Sequence, residues 1–253
     1  MTKGLESRIW GKYVRLTSAH LYRRPVCIDS RGPIVSFTFD DFPRSALHVG
    51  GAILRSYGAR GTYFASLGLM GRTTPTGTMF EREDLNHAIG QGHEIGCHTF
   101  DHYNAGNTAP QLFENSVTRN QKAFAALVPG YSLRTLSYPH YEPRPGVKRR
   151  MQNHFTCCRG GGQIYNDDAA DLNCLRSFFI EQSRDDPQKM YDLIDAAGLA
   201  RGWLIFSTHD IDPSPTQWGC TPELFESLVR RTIASGFRIL PMIEAWKEIS
   251  TST

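Results

Sequence analysis

The stretch "VSFTFDDFPRS", Val35 to Ser45, ends a run of β-branched and aromatic residues on two adjacent carboxylates, Asp40 and Asp41. Residues 35–39, mostly β-branched or aromatic, suit a strand. Like charges this close raise each other's pKa and cost free energy unless a cation or a hydrogen-bond donor takes one of them. Two such charges directly after a strand therefore need a reason that the rest of the chain must supply.

The same kind of run recurs along the chain. Strands are expected at 34–39, 61–65, 93–97, 136–138, 154–158, 174–179, 203–207 and 237–240. Amphipathic helices are expected between them at 45–57, 81–91, 109–127, 146–153, 187–199 and 222–235. Several start with Pro or Ser near the first turn. Segments 68–78 and 159–172, rich in Gly, Thr, Asn and Asp, read as loops. Strands alternating with helices imply right-handed crossovers and a parallel sheet, and so many repeats in one unbroken domain favour a closed α/β barrel over an open sheet.

Composition narrows the function classes. The 253 residues are 40% hydrophobic and 21% charged, enough for one large domain with a sizeable core. The net charge of +3 comes from 28 basic and 25 acidic residues spread along the chain, which argues against a nucleic-acid partner. The basic run Lys148-Arg149-Arg150 reads as a solvated helix face. No apolar run approaches the roughly 20 residues of a membrane span, and the charged N-terminus is unlike a secretory signal, so a cytoplasmic location is expected. The six cysteines, Cys157 and Cys158 being adjacent and the others far apart, fit neither a disulfide framework nor a zinc-finger ladder.

Barrel enzymes build their sites where strands end. Asp40 and Asp41 end the first strand, and the third runs into "HEIGCHTFDH", which carries His98 and His102. An i, i+4 pair of imidazoles shares one face if the segment turns helical. A carboxylate would then complete a three-ligand divalent-metal site that is open to water. Asp41 is the candidate, which leaves Asp40 free as a base. Paired histidines on a helix surface and an Asp-Asp turn or cap are common without any metal, but their meeting at two strand ends of one face favours the metal reading.

"FTFDD" followed by "HEIGCHTFDH" resembles the first two motifs of the polysaccharide deacetylase family, carbohydrate esterase family four, from about Arg31 to about Ile249. The resemblance implies a distorted (β/α) barrel of about seven parallel strands spanning 31–253, with residues 1–30 as an N-terminal extension packed on it. It also implies Asp40 as general base and Asp41, His98 and His102 as ligands. The activity implied is metal-dependent removal of acetyl groups from N-acetylated amino sugars, with a carbohydrate partner.

The later motifs depart from the family pattern. "LSYPHYEP" has Ser137 where the family's third motif has an arginine, and the N–H of His140 after the proline is the expected oxyanion donor. By analogy with relatives, Arg176 in "CLRSFFI" is the expected cation that orients Asp40. The Asp-Trp motif has no counterpart. "WLIFSTHDI" is similar to the family's Leu-x-x-His element and makes His209 the expected acid for the departing amine. The His₂Asp ligand set suits zinc first and also cobalt, manganese or nickel. His20, His48, His87 and His154 read as surface or capping residues, and His93 as structural. Trp218, on the loop after His209, reads as a sugar-stacking residue or a packed lid.

Two other functions fit the sequence: an amide hydrolase of the same scaffold acting on a small cyclic ureide or imide, and a non-catalytic metal or glycan binder. The presence of Asp40 counts against the binder.

Overall fold

The computed structural model describes residues 2–28, 32–140 and 142–251. Eight parallel strands form the central sheet: β1 (Ile34–Phe39), β2 (Thr62–Ala65), β3 (Glu94–Cys97), β4 (Thr135–Ser137), β5 (Cys157–Arg159), β6 (Phe178–Phe179), β7 (Trp203–Thr208) and β8 (Arg238–Ile239). Seven of them run β6-β7-β1-β2-β3-β4-β5. The eighth, β8, joins only the start of β1, through Ile34 and Val35, where β2 does not reach. A single parallel bridge, Arg159 to Leu175, links β5 back to the segment before β6. The architecture is the distorted (β/α) barrel that the sequence implied.

The alternation within β1 explains its two layers. Phe37 and Phe39 point to the helices, where Phe37 stacks on Phe206 and meets the edge of Phe225, and Phe39 stacks on Tyr63. Ile34 clusters instead with Phe64, Trp203 and Ile205. At Gly96 a Cβ would lie 2.5 Å from the Phe64 ring, so only glycine lets β2 and β3 pack at that point.

Two helices lie outside the sequence-based expectation. One is α1 (Thr2–His20), which sits on the barrel through a hydrogen bond from Trp10 Nε1 to Gly106 O at 3.2 Å. The expected boundary at residue 30 falls outside the described residues. The other is the C-terminal helix Met242–Thr251, whose first amides are capped from inside the barrel: Met242 N donates to Thr62 Oγ1 and Ile243 N to Glu94 Oε2, both at 2.9 Å. Burial raises the Glu94 pKa, while hydrogen bonds from Thr135, Ile243 and Thr62 oppose the shift.

The expected helix at 45–57 is a π-helical turn, Ala46–Gly51, continued by α-helix Ala52–Ser56. The solvated reading of Lys148-Arg149-Arg150 is corrected at its first residue. Lys148 is fully buried, with Nζ 2.6 Å from Asp171 and donating to Ser18 O, because α1 covers that face. The 159–172 loop contains a short strand, Ala170–Asp171, paired with Pro25–Val26. The 68–78 segment, expected as loop, holds a hairpin, Thr73–Thr74 with Gly77–Thr78, which lies over the end of β1.

Candidate active site

At the end of β1, Asp40 N donates to Thr208 O at 3.0 Å and holds the chain in register with β7. Asp41 (φ 61°) and Phe42 (φ 60°) then enter the left-handed region, which turns the two carboxylates apart. Thr99, His102 and His140 share that conformation. Three of the eight non-glycine residues with positive φ among the described residues, Asp41, His102 and His140, thus line one cavity, with Phe42 and Thr99 next to lining residues in the chain, and such backbone strain persists only where surrounding contacts fix it.

Asp41 faces the histidines. Its Oδ1 lies 3.1 Å from His102 Nε2 and 3.6 Å from His98 Nε2, and one ligand atom from each residue falls within 4.8 Å of the others. His98 Nδ1 donates to Ser137 O at 2.8 Å, which presents Nε2 to the site. The two imidazoles do not share a helix face, as the spacing had suggested. The segment after β3 is irregular, and the left-handed turns at Thr99 and His102 bring the rings to 4.9 Å.

Burial alone would raise the Asp41 pKa, but hydrogen bonding and charge from His102 and His98 hold it well below the usual carboxylate range. Burial lowers His98 to about 4, so at neutral pH it offers a neutral lone pair. Asp41 Oδ1 is buried without a hydrogen bond of good geometry. A carboxylate oxygen facing two converging imidazole nitrogens is a donor set that fits a divalent ion.

Asp40 faces the other way, into the sheet. Arg159, at the end of β5, donates from one terminal nitrogen to Asp40 Oδ1 and to Ser137 Oγ, and from the other to Ser177 Oγ at 2.9 Å. Ser207 Oγ adds a 3.4 Å contact to Asp40 Oδ2. Burial would raise the Asp40 pKa, yet Arg159, His98 and His209 together hold it at about 2.

Arg176 is not the partner of Asp40. Its side chain is exposed, packs over Gly162, and lines a separate cavity of about 310 Å³ with Arg23, Asp167 and Glu142. The arginine missing from β4 has its equivalent one strand away. Ser137 and Arg159 are paired residues of β4 and β5, and the small serine leaves room for the guanidinium. The expected strand at 154–158 stops one residue short of Arg159; extending it by that residue would have placed an arginine at a strand's catalytic end.

His209 is buried at the end of β7. Its Nδ1 and backbone N–H both donate to Trp218 O, at 3.3 and 3.2 Å, which leaves Nε2 for the cavity. The ring of His140 lies 5.2 Å from that of His102, and its backbone N–H has no partner among the described residues. Burial, with the charge of His102, lowers the His140 pKa. Asp40, Asp41, His98, His102, His140 and His209 all line one cavity of about 490 Å³, closed by Leu69, Thr74, Pro75, Thr76 and Trp218. Trp218 is therefore a wall of the cavity. The other histidines lie outside it: His48 and His154 pair with Asp84 and Glu114, and His93 Nδ1 accepts from Gly61 N at 3.0 Å.

A sequence profile described as polysaccharide deacetylase matches residues 28–154. The chain belongs to the polysaccharide deacetylase family. That match covers both metal-side motifs and stops before Arg159 and His209. Solved structures of similar fold include a family 4 acetyl xylan esterase from Clostridium thermocellum in complex with a cobalt ion. The two are 19% identical, with a TM-score of 0.59, over 85% of this chain and 90% of that one. Another is the peptidoglycan deacetylase PdaC from Bacillus subtilis (13% identity, TM-score 0.57, 89% and 95% covered). A third is a mutant of BA3943, described as a family pseudoenzyme with restored enzymatic activity (13%, 0.60, 87% and 70%). At these identities the likeness shows the fold. No curated sequence matches. Among the described residues, no helix of this deacetylase-family chain is long and apolar enough to cross a membrane.

Proposed function

We propose that this chain hydrolyses the N-acetyl amide of an amino sugar within an oligosaccharide, polysaccharide or lipid-linked sugar. The single observation that carries the reading is Asp40. It is buried and paired with Arg159 beside three residues whose ligand atoms could hold one ion, and a mere metal-binding site would not require it. Asp41, His98 and His102 would hold the ion, with zinc the first candidate. That ion supplies Lewis acidity, which polarises the acetyl carbonyl and makes water acidic enough for a weak base to deprotonate.

The remaining work falls to protein groups. Asp40, aimed by Arg159, takes the proton of the attacking water. The His140 N–H donates to the developing oxyanion. His209 Nε2, with Nδ1 anchored on Trp218 O, donates to the departing amine. Trp218 offers an aromatic face to a sugar ring, and the cavity volume suits a small number of rings.

The test is acetate release from N-acetylglucosamine oligomers by protein reloaded with zinc after chelation. Release that requires the metal and is lost in Asp40→Asn supports the reading. No release from protein holding stoichiometric metal contradicts it, and turnover of cyclic ureides or imides by that protein would establish the small-amide alternative.

A further inference from the structure

The hairpin over the cavity does more than close it. Thr76, at its tip, is buried and donates from Oγ1 to Asp41 Oδ2 at 2.9 Å. That bond occupies the carboxylate oxygen that does not face the histidines and leaves Oδ1 for them. Thr76 is itself fixed by Thr74, whose Oγ1 lies 2.9 Å from Thr76 Oγ1 and accepts from Thr76 N at 3.2 Å.

The hairpin is also tied to the short segment that carries Asp41. Pro43 bridges Met79, Phe80 N donates to Phe42 O at 3.0 Å, and the Phe42 and Phe80 rings stack at 4.9 Å. Asp41 and Phe42 are the two residues held at positive φ, so the hairpin restrains the strained turn from outside. Thr74 and Pro75 meanwhile face the substrate cavity.

We propose that Thr76 is a positioning residue of the metal centre: its hydroxyl fixes the orientation of Asp41 and thereby sets metal affinity, making the hairpin a shared wall of the metal site and the substrate cavity. The inference rests on the metal site read above and requires nothing about the substrate. Removing an outer hydrogen bond to a ligand lowers metal affinity by roughly 10–100-fold in comparable sites.

The experiment is zinc binding by competition with a chromophoric chelator, on the metal-free 253-residue chain, for wild type, Thr76→Val, Thr76→Ser and the exposed hairpin control Thr78→Val. Melting of each metal-free variant is followed in parallel. The expected result is a roughly 10–100-fold weaker zinc Kd in Thr76→Val, near-wild-type affinity in Thr76→Ser and Thr78→Val, and unchanged metal-free melting. Wild-type affinity in Thr76→Val overturns the proposal. So does an equal loss in Thr76→Ser or in Thr78→Val, since hairpin integrity would then be at work rather than the hydroxyl. A wild type that binds no zinc overturns both this inference and the metal-dependent reading. Zinc bound with the expected pattern but without acetate release sinks only the proposed activity.

Discussion

Asp40 and Asp41 are neighbours in the chain and stand in opposite surroundings. Asp40 is held by groups on or beside the barrel strands: Ser137 through the shared Arg159, Ser177 through the same guanidinium, and Ser207 directly. Asp41 is held by loops: Thr76 on the hairpin and His98 and His102 on the irregular segment after β3. The chain turns into the left-handed region at Asp41 itself, between the two sets of contacts. Two like charges are tolerated side by side because each faces its own cations, a guanidinium for one and an imidazole pair with room for a metal for the other. The strand-built side is fixed by the guanidinium and serines of the sheet, whereas the loop-built side is fixed by the hairpin and the irregular segment after β3.

The sharpest way to break this comparison is Asp40→Asn. It should lower the acetate-release rate by roughly 10²–10⁴-fold while leaving zinc content unchanged, as elemental analysis alongside the kinetic assay would show. Next is Arg159→Met. Removing one partner of a buried pair leaves Asp40 uncompensated and should cost about 3–5 kcal/mol in urea unfolding, in addition to the lost activity. An unchanged midpoint would mean that the Asp40 side is not held as described.

Glu181, just past β6, sharpens the comparison further. Burial, with the nearby charge of Asp40, raises its pKa to about 8, and its Oε2 is buried without a partner. The folded chain therefore keeps a proton that the unfolded chain releases near the ordinary glutamate value of 4.5. Stability from this group is complete below about pH 4.5 and is lost as pH rises through about 8. Glu181→Gln should flatten that slope in a series of melts across this range, and an unaltered slope would contradict the assignment. Smallest is Arg176→Ala, expected to change stability by less than about 0.5 kcal/mol and to leave turnover intact, since its side chain is exposed and away from Asp40. A large loss of turnover would restore the role that the sequence suggested for it.

How far each part could be read from the residues follows from the range of its interactions. The strand runs are local, so all eight strands are visible as apolar segments, and "FTFDD" with "HEIGCHTFDH" carries Asp41, His98 and His102 within residues 37–102. The C-terminal helix escapes notice because its start depends on Thr62 and Glu94, residues some 150–180 positions away. Lys148 looks solvated until α1 is placed over it. Arg159 and Ser137 are brought together by strand pairing between residues 22 positions apart, and a register of that kind is not written in either segment alone. Thr76 lies in a stretch of Gly and Thr that reads simply as loop, and its contact with Asp41 depends on the hairpin folding back on Pro43.

The division of labour between the two carboxylates is tested most directly by measuring zinc affinity and acetate release side by side for Asp40→Asn and Asp41→Asn. Asp40→Asn is expected to keep wild-type zinc affinity and lose turnover, while Asp41→Asn is expected to lose zinc and turnover together. Loss of zinc in Asp40→Asn, or zinc-dependent turnover surviving in Asp41→Asn, would contradict that division.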